Sequence, residues 1–140
     1  MAKAVLAVAA ILAVGCKGSE PGAGGGAFYR VDAPAVAVAS GQKGEARVRF
    51  VPREGYHWND EFPAKARVTD AGGLRLDRAE FTQGGGDFKA EGEAGVLPLP
   101  LSAPAAGSAT LKGTADFSMC QKKECRVFRA VPFEVSVHVQ

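Results

Sequence analysis

Two cysteines five positions apart, Cys120 and Cys125, are the residues of this chain best suited to chemistry. They sit in the run Phe117-Ser118-Met119-Cys120-Gln121-Lys122-Lys123-Glu124-Cys125-Arg126-Val127-Phe128. Thiols can join as a disulfide, exchange with another thiol or bind a soft metal. Here they bracket a polar loop between two long β-patterned segments, Ala109 to Met119 and Val127 to Val139. In a hairpin, opposed residues have numbers of constant sum. Opposing Cys120 to Cys125 also opposes Phe117 to Phe128, Asp116 to Arg129 and Ala115 to Ala130. Aromatics then meet on one face and an ion pair on the other, the pairs that cross-strand packing favours. Facing cysteines of an antiparallel pair are close enough for a disulfide.

Alternation from Phe117 puts Cys120 on the face of Asp116 and Ser118, outside the core and open to a partner thiol. After Ala130 the apolar parity switches to Phe133, Val135 and Val137. That predicts a bulge near Val131-Pro132, which would also accommodate the proline. Closing so short a loop removes on the order of 2 kcal/mol of unfolded-chain entropy, a weak staple. Lys122, Lys123 and Arg126 favour a thiolate, with Glu124 opposing them. From the pair alone, a redox-active disulfide and an inert hairpin clip are equally supported. Zinc would need further Cys or His ligands, and the histidines are His57 and His138. His138 falls on the polar side of the last strand. A Cys/His cuprous site that includes His57 is a further reading. No metal and no cofactor is expected.

A second unusual segment is Gly55-Tyr56-His57-Trp58-Asn59-Asp60-Glu61-Phe62-Pro63, with the sole Trp. By itself it reads as a turn whose aromatics cap a sandwich. No serine sits in a nucleophile elbow. No glycine-rich stretch follows a strand and opens a helix, so a phosphate loop is absent. A net charge of +2 lacks the clustered cationic excess that nucleic-acid binding needs.

The elements that position these residues read as strands. With 140 residues, the chain has room for one ordinary domain. The 18 Gly and 8 Pro disfavour helices, and no window has an apolar period of 3.6. Strands are expected around Phe28 to Val31, Ala35 to Ala39, Glu45 to Val51, Ala64 to Thr69 and Leu74 to Phe81, with a turn at Asp70 to Gly73 and a loop at Gln83 to Asp87. Val96 to Leu101 carries two prolines and is expected as an edge strand or extended arm. Short strands at close spacing predict an all-β fold, an immunoglobulin-like antiparallel β-sandwich over residues 28–140.

Ahead of it, Lys3 and the apolar run Ala4 to Val14 have the form of a signal peptide. Ala13-Val14-Gly15-Cys16 resembles the lipobox of bacterial lipoprotein precursors. The resemblance implies cleavage after residue 15 and lipid attachment at Cys16. It places the mature chain on the periplasmic side of a bacterial membrane, where disulfides persist. No Asp follows Cys16, which leans toward the outer membrane. Residues 16–27 are Gly-rich and read as a flexible tether. The lipid is then the sole membrane contact.

Gly55-x-His57-x-Asn59, then Phe117-x-x-Cys120-x-x-x-x-Cys125 and Val131-Pro132-Phe133, together resemble the N-terminal periplasmic domain of DsbD-type thiol:disulfide interchange proteins. The resemblance spans roughly residues 30 to 140. It implies an immunoglobulin-like sandwich whose cysteines shuttle electrons between a thioredoxin-like protein and periplasmic thiol proteins. Cys120 and Cys125 carry over as the redox pair. Gly55, His57 and Asn59 carry over as a structural signature. Arg126-Val127-Phe128 stands where that family often has a proline-containing stretch. The family's aromatic cap over the disulfide would fall to Gly84 to Phe88 or to the Trp58 region. The reductant is expected to be a separate protein, and the domain a monomer. The competing expectation is a non-redox binding or scaffold lipoprotein with a structural disulfide.

Overall fold

The computed structural model describes residues 23–140. The expected signal peptide, Cys16 and the first part of the tether lie outside the described residues.

Two β-sheets face each other. The first has the order β1-β2-β4-β9-β8: β1 (Ala23–Gly25), β2 (Tyr29–Asp32), β4 (Lys43–Pro52), β9 (Ala94–Ser102) and β8 (Lys89–Glu91). The second has the order β3-β11-β10-β6-β7: β3 (Val36–Val38), β11 (Glu124–Val139), β10 (Gly107–Gln121), β6 (Lys65–Asp70) and β7 (Glu80–Thr82). A two-residue strand, β5 (His57–Trp58), also pairs with β10. The fold is the expected immunoglobulin-like β-sandwich. One pairing, β3 on β11, is parallel rather than antiparallel. β1 falls within the segment expected as tether, where Gly24 pairs with Val31.

The alternation explains which face of each strand is buried. Val48 and Phe50 of β4 and Leu97, Leu99 and Leu101 of β9 point inward from the first sheet. Leu111, Ala115, Phe117 and Met119 of β10 meet them, with Phe133, Val135, Val137 and Val139 of β11. Phe117 is the hinge pin. Its ring centroid lies 4.7 Å from Phe50, 5.6 Å from Trp58, 5.2 Å from Tyr29 and 5.4 Å from Phe128, linking both sheets. Truncating such a fully buried ring costs about 3–5 kcal/mol.

Two of the strand expectations need correction and one holds in part. Leu74 to Phe81 is not one strand: the chain turns through residues 74–79, anchored by two backbone hydrogen bonds between Arg75 and Ser102, and only Glu80–Thr82 joins the sheet. Its charged and apolar residues alternate, but beyond the isolated antiparallel bridge of Arg75 to Ser102 no ladder forms along residues 74–79. Val96 to Leu101 lies inside a sheet, between β4 and β8. β8 stops at the Lys89–Val96 pair, so Pro98 and Pro100 face β4 on one side and no strand of that sheet on the other. The proline half of β9 is thus an edge after all. The β10–β11 bulge lies one step earlier than expected, between the pairs Phe117–Phe128 and Ala115–Val131. Ala115 therefore opposes Val131 instead of Ala130, and Asp116 faces both Arg129 and Ala130. Asp116 drives this: its Oδ1 accepts the Ala130 amide at 2.7 Å, while Oδ2 lies 3.6 Å from Arg129.

Candidate functional site: a disulfide at a hairpin tip

β10 and β11 run into a turn of two residues, Lys122 and Lys123, tighter than the four-residue loop expected. Just behind it, Cys120 opposes Cys125 in the expected register and the two form a disulfide, with Cα atoms 4.0 Å apart. Each cysteine has a different environment. Cys125 is exposed, whereas Cys120 is buried at 7% exposure and lies outside the main core cluster. The expectation of an outward, reachable disulfide therefore holds for one sulfur-bearing residue and fails for the other. Ser118, two residues before Cys120 on the same face, is buried as well.

The cause of that burial is the segment Gly55 to Asn59. Gly55 has a φ of +86°, a left-handed turn that glycine adopts without strain, and it delivers the chain onto the free side of β10. There His57 pairs with Cys120 and Trp58 with Met119. Asn59 donates its amide to the Ser118 carbonyl at 3.0 Å and its side-chain amide to Ser118 Oγ at 3.4 Å. Directly opposed residues share a face. His57, Cys120 and Cys125 thus stand abreast on three neighbouring strands, and the motif Gly-x-His-x-Asn becomes intelligible as the flank of the disulfide. His57 and His138 are both exposed, and among the described residues no cluster of His, Cys, Asp and Glu could hold a metal ion.

Trp58 points the other way. It stacks with Phe50, Phe88 and Phe117 at centroid distances of 5.8, 5.5 and 5.6 Å. A Cβ on Gly95 would lie 2.2 Å from its ring, so Gly95 is the floor of the Trp58 slot. Both segments considered for an aromatic cap, Gly84 to Phe88 and the Trp58 region, send their rings into the core instead of over the disulfide.

The inner face of the hairpin tip carries a polar–aromatic cluster that sequence reading missed. The Tyr56 hydroxyl donates to Glu124 Oε1 at 2.9 Å and accepts from Arg126 Nε at 3.4 Å. Gln121 Nε2 also donates to Glu124, at 2.5 Å, and the Arg126 guanidinium lies 4.3 Å over the Phe28 ring. The Tyr56 hydroxyl, ahead of Glu124's charge, pushes the Arg126 pKa above its ordinary value. Glu124 is therefore engaged with Arg126 and Tyr56, and Lys122 and Lys123 dominate the charge beside Cys125. The available signal was parity: Glu124, Arg126 and Phe128 alternate with Cys125 and Val127.

No protein-family model and no curated protein matches the chain. Among solved structures it is similar to domains 4 and 5 of the S-layer protein SbsC, at 16% identity and a TM-score of 0.38, covering 79% of this chain and 50% of that one. It is also similar to the cysteine protease inhibitor EhICP2 of Entamoeba histolytica, at 18% identity and a TM-score of 0.35, covering 76% and 85%. AggA, the major fimbrial subunit from Escherichia coli, is 11% identical with a TM-score of 0.37, covering 80% and 94%. The chain thus spans half the length of the S-layer chain.

Proposed function

We propose that this chain is a lipid-anchored extracytoplasmic thiol–disulfide exchange domain, held through Cys16, that passes electrons between proteins through Cys120 and Cys125 in the manner of DsbD N-terminal domains. Its partners are thioredoxin-like or other periplasmic thiol proteins.

The observation that carries the reading is the asymmetry of the disulfide, with Cys125 exposed at a cationic tip and Cys120 buried behind it. Such a pair divides the labour of exchange. A partner thiolate attacks the Cys125 sulfur, and the electron pair of the broken bond leaves on Cys120, which takes up a proton. The partner's second thiol then attacks the mixed disulfide and releases Cys125 as a thiolate. The partner dithiol is oxidised and this pair reduced, by two electrons and two protons. Lys122 and Lys123 favour the thiolates on both steps.

The test is a trap. A Cys120→Ser variant keeps the exposed thiol without its resolving partner and accumulates a mixed disulfide with an added thioredoxin-like protein whose second cysteine is replaced by Ser and whose remaining cysteine is activated as a mixed disulfide with thionitrobenzoate, the leaving group. Cys125→Ser accumulates far less. Equal, negligible trapping in both variants would leave a structural clip. Lipid attachment is checked by incorporation of labelled fatty acid, lost in Cys16→Ser.

A further inference from the structure

Among the described residues, the side of β11 that faces away from β10 has no strand paired to it near the disulfide, and Cys125, Arg126 and Val127 are exposed. β3 pairs with β11 only from Val137 to Val139, and among the described residues no strand pairs with Glu124 to Ser136 on that side. The backbone polarity of this edge follows from β5. The Ser118 carbonyl accepts the Asn59 amide, so the hydrogen-bonding groups of Ser118 point toward β5 and away from β11. Ser118 opposes Val127, and Cys120, in phase with Ser118, opposes Cys125. Both are therefore non-hydrogen-bonded pairs, and the 4.0 Å Cα separation at the disulfide agrees with the close spacing of that type. It follows that Cys125 and Val127 turn their N–H and C=O groups outward, to the open edge. Val127 is also the one large apolar side chain left exposed among the described residues, at 47%.

We infer that this edge docks its thiol partner by strand addition: an extended, cysteine-bearing segment of another protein pairs along Cys125 to Val127 and sets its own cysteine opposite Cys125. This deepens the exchange reading and rests on it. Three observations converge. The unspent backbone groups belong to the reactive residue itself and its second neighbour, so main-chain bonding fixes the partner's register on the sulfur. The exposed Val127 offers the side-chain contact next to it. Strand order then sets the trajectory. With β10, β11 and the incoming strand side by side, Cys120, Cys125 and the partner cysteine stand in a row on one face. The incoming sulfur approaches Cys125 from the side opposite the bond to Cys120, the line along which that bond's electron pair must leave. Directly opposed Cα atoms in a hydrogen-bonded pair lie roughly 5.5 Å apart, within the span of a disulfide.

Charge selects the occupant. Arg126 and Arg129 are paired to Glu124 and Asp116, which leaves Lys122 and Lys123, both exposed beside Cys125, to set a cationic charge at this end of the edge, so the fitting segment carries acidic residues beside its cysteine. A second copy of this chain would bring the same cationic edge against itself.

The experiment compares how fast the oxidised full chain is reduced by a synthetic peptide with one cysteine flanked by Val, Thr and Asp, by the same peptide N-methylated on its pairing amides, and by glutathione. The unmethylated peptide is expected to react at least tenfold faster than the methylated one. Val127→Pro removes an edge N–H without removing a β10 ladder bond. It should erase that advantage while leaving the glutathione rate within twofold. A methylated peptide that reacts as fast as the parent overturns strand addition, and needs no protein variant that might misfold. So does a peptide with Lys in place of Asp that reacts as fast at low salt, which removes the charge argument. Sedimentation showing a dimer that Val127→Pro dissolves would give the edge to a second copy and overturn the inference. No exchange with glutathione or either peptide would sink the exchange reading itself.

Discussion

Cys120 and Cys125 face each other across 4.0 Å of backbone, yet one is buried and the other exposed. The difference arises because, among the described residues, β10 has a second neighbour at this point and β11 has none. β5 lies against Cys120, while the far side of Cys125 is open among the described residues. Reactivity should follow the same asymmetry. In the reduced chain, brief iodoacetamide treatment is expected to label Cys125 at least tenfold faster than Cys120, read by peptide mass spectrometry. Equal rates would mean that β5 does not shield Cys120 in solution.

The bulge at Asp116 makes a prediction about stability. Ala130 is the single non-glycine residue with positive φ among the described residues, at +51°, and it is exposed. A left-handed alanine costs about 1 kcal/mol that glycine does not pay, part of which the greater freedom of an unfolded glycine offsets. Ala130→Gly should therefore leave stability unchanged or raise it by up to ~1 kcal/mol in urea titration. A loss above ~1 kcal/mol would show that the bulge is built differently.

How this hairpin was legible, and where it was not, has a physical reason. The Cys120–Cys125 and Phe117–Phe128 pairs are local, and a short turn fixes their register. The parity switch of β11 was also visible in Phe133, Val135 and Val137. The bulge's position was not, because proline is the residue a bulge best tolerates, whereas here the Asp116 carboxylate, catching the Ala130 amide, decides it. Pro132 sits where no described strand pairs with β11 on its open side. The shielding of Cys120 was hidden for a different reason. It depends on β5 meeting β10 across some sixty residues of sequence, and two residues of strand leave no periodicity. Likewise Leu74 to Leu76 alternate with only a single bridge, Arg75 to Ser102, and no ladder, since alternation records exposure and not pairing.

The Trp58 slot is the tightest packing near the site. Gly95→Ala puts a methyl where the indole lies, with 2.2 Å to the nearest ring atom. Overpacking of this kind costs about 1–3 kcal/mol. The variant should unfold at lower urea, and its tryptophan emission should shift to longer wavelength. Unchanged stability and emission would show that the strand and ring separate freely.

The loop before β8 supplies a pH dependence. Burial pushes the Asp87 pKa up, but the Arg78 guanidinium and the Thr82 amide, 2.8 Å from Oδ2, outweigh it and hold the carboxyl below its usual value. The Asp87 side chain is 8% exposed. A carboxyl with a lowered folded-state pKa contributes stability that is present above its unfolded pKa, about 3.9, and is lost as pH falls through the folded value. The chain should lose stability below about pH 4, and Asp87→Asn should be less stable near neutrality and show a shallower acid slope. An identical slope in the variant would assign the acid sensitivity elsewhere.

The most direct measurement of the central claim is the reduction potential of Cys120–Cys125 in the full chain, equilibrated against graded thiol buffers and read by alkylation. An exchange domain is expected to lie above about −300 mV, within reach of thiol–disulfide partners. A potential well below that value would make the bond a permanent clip and contradict the account.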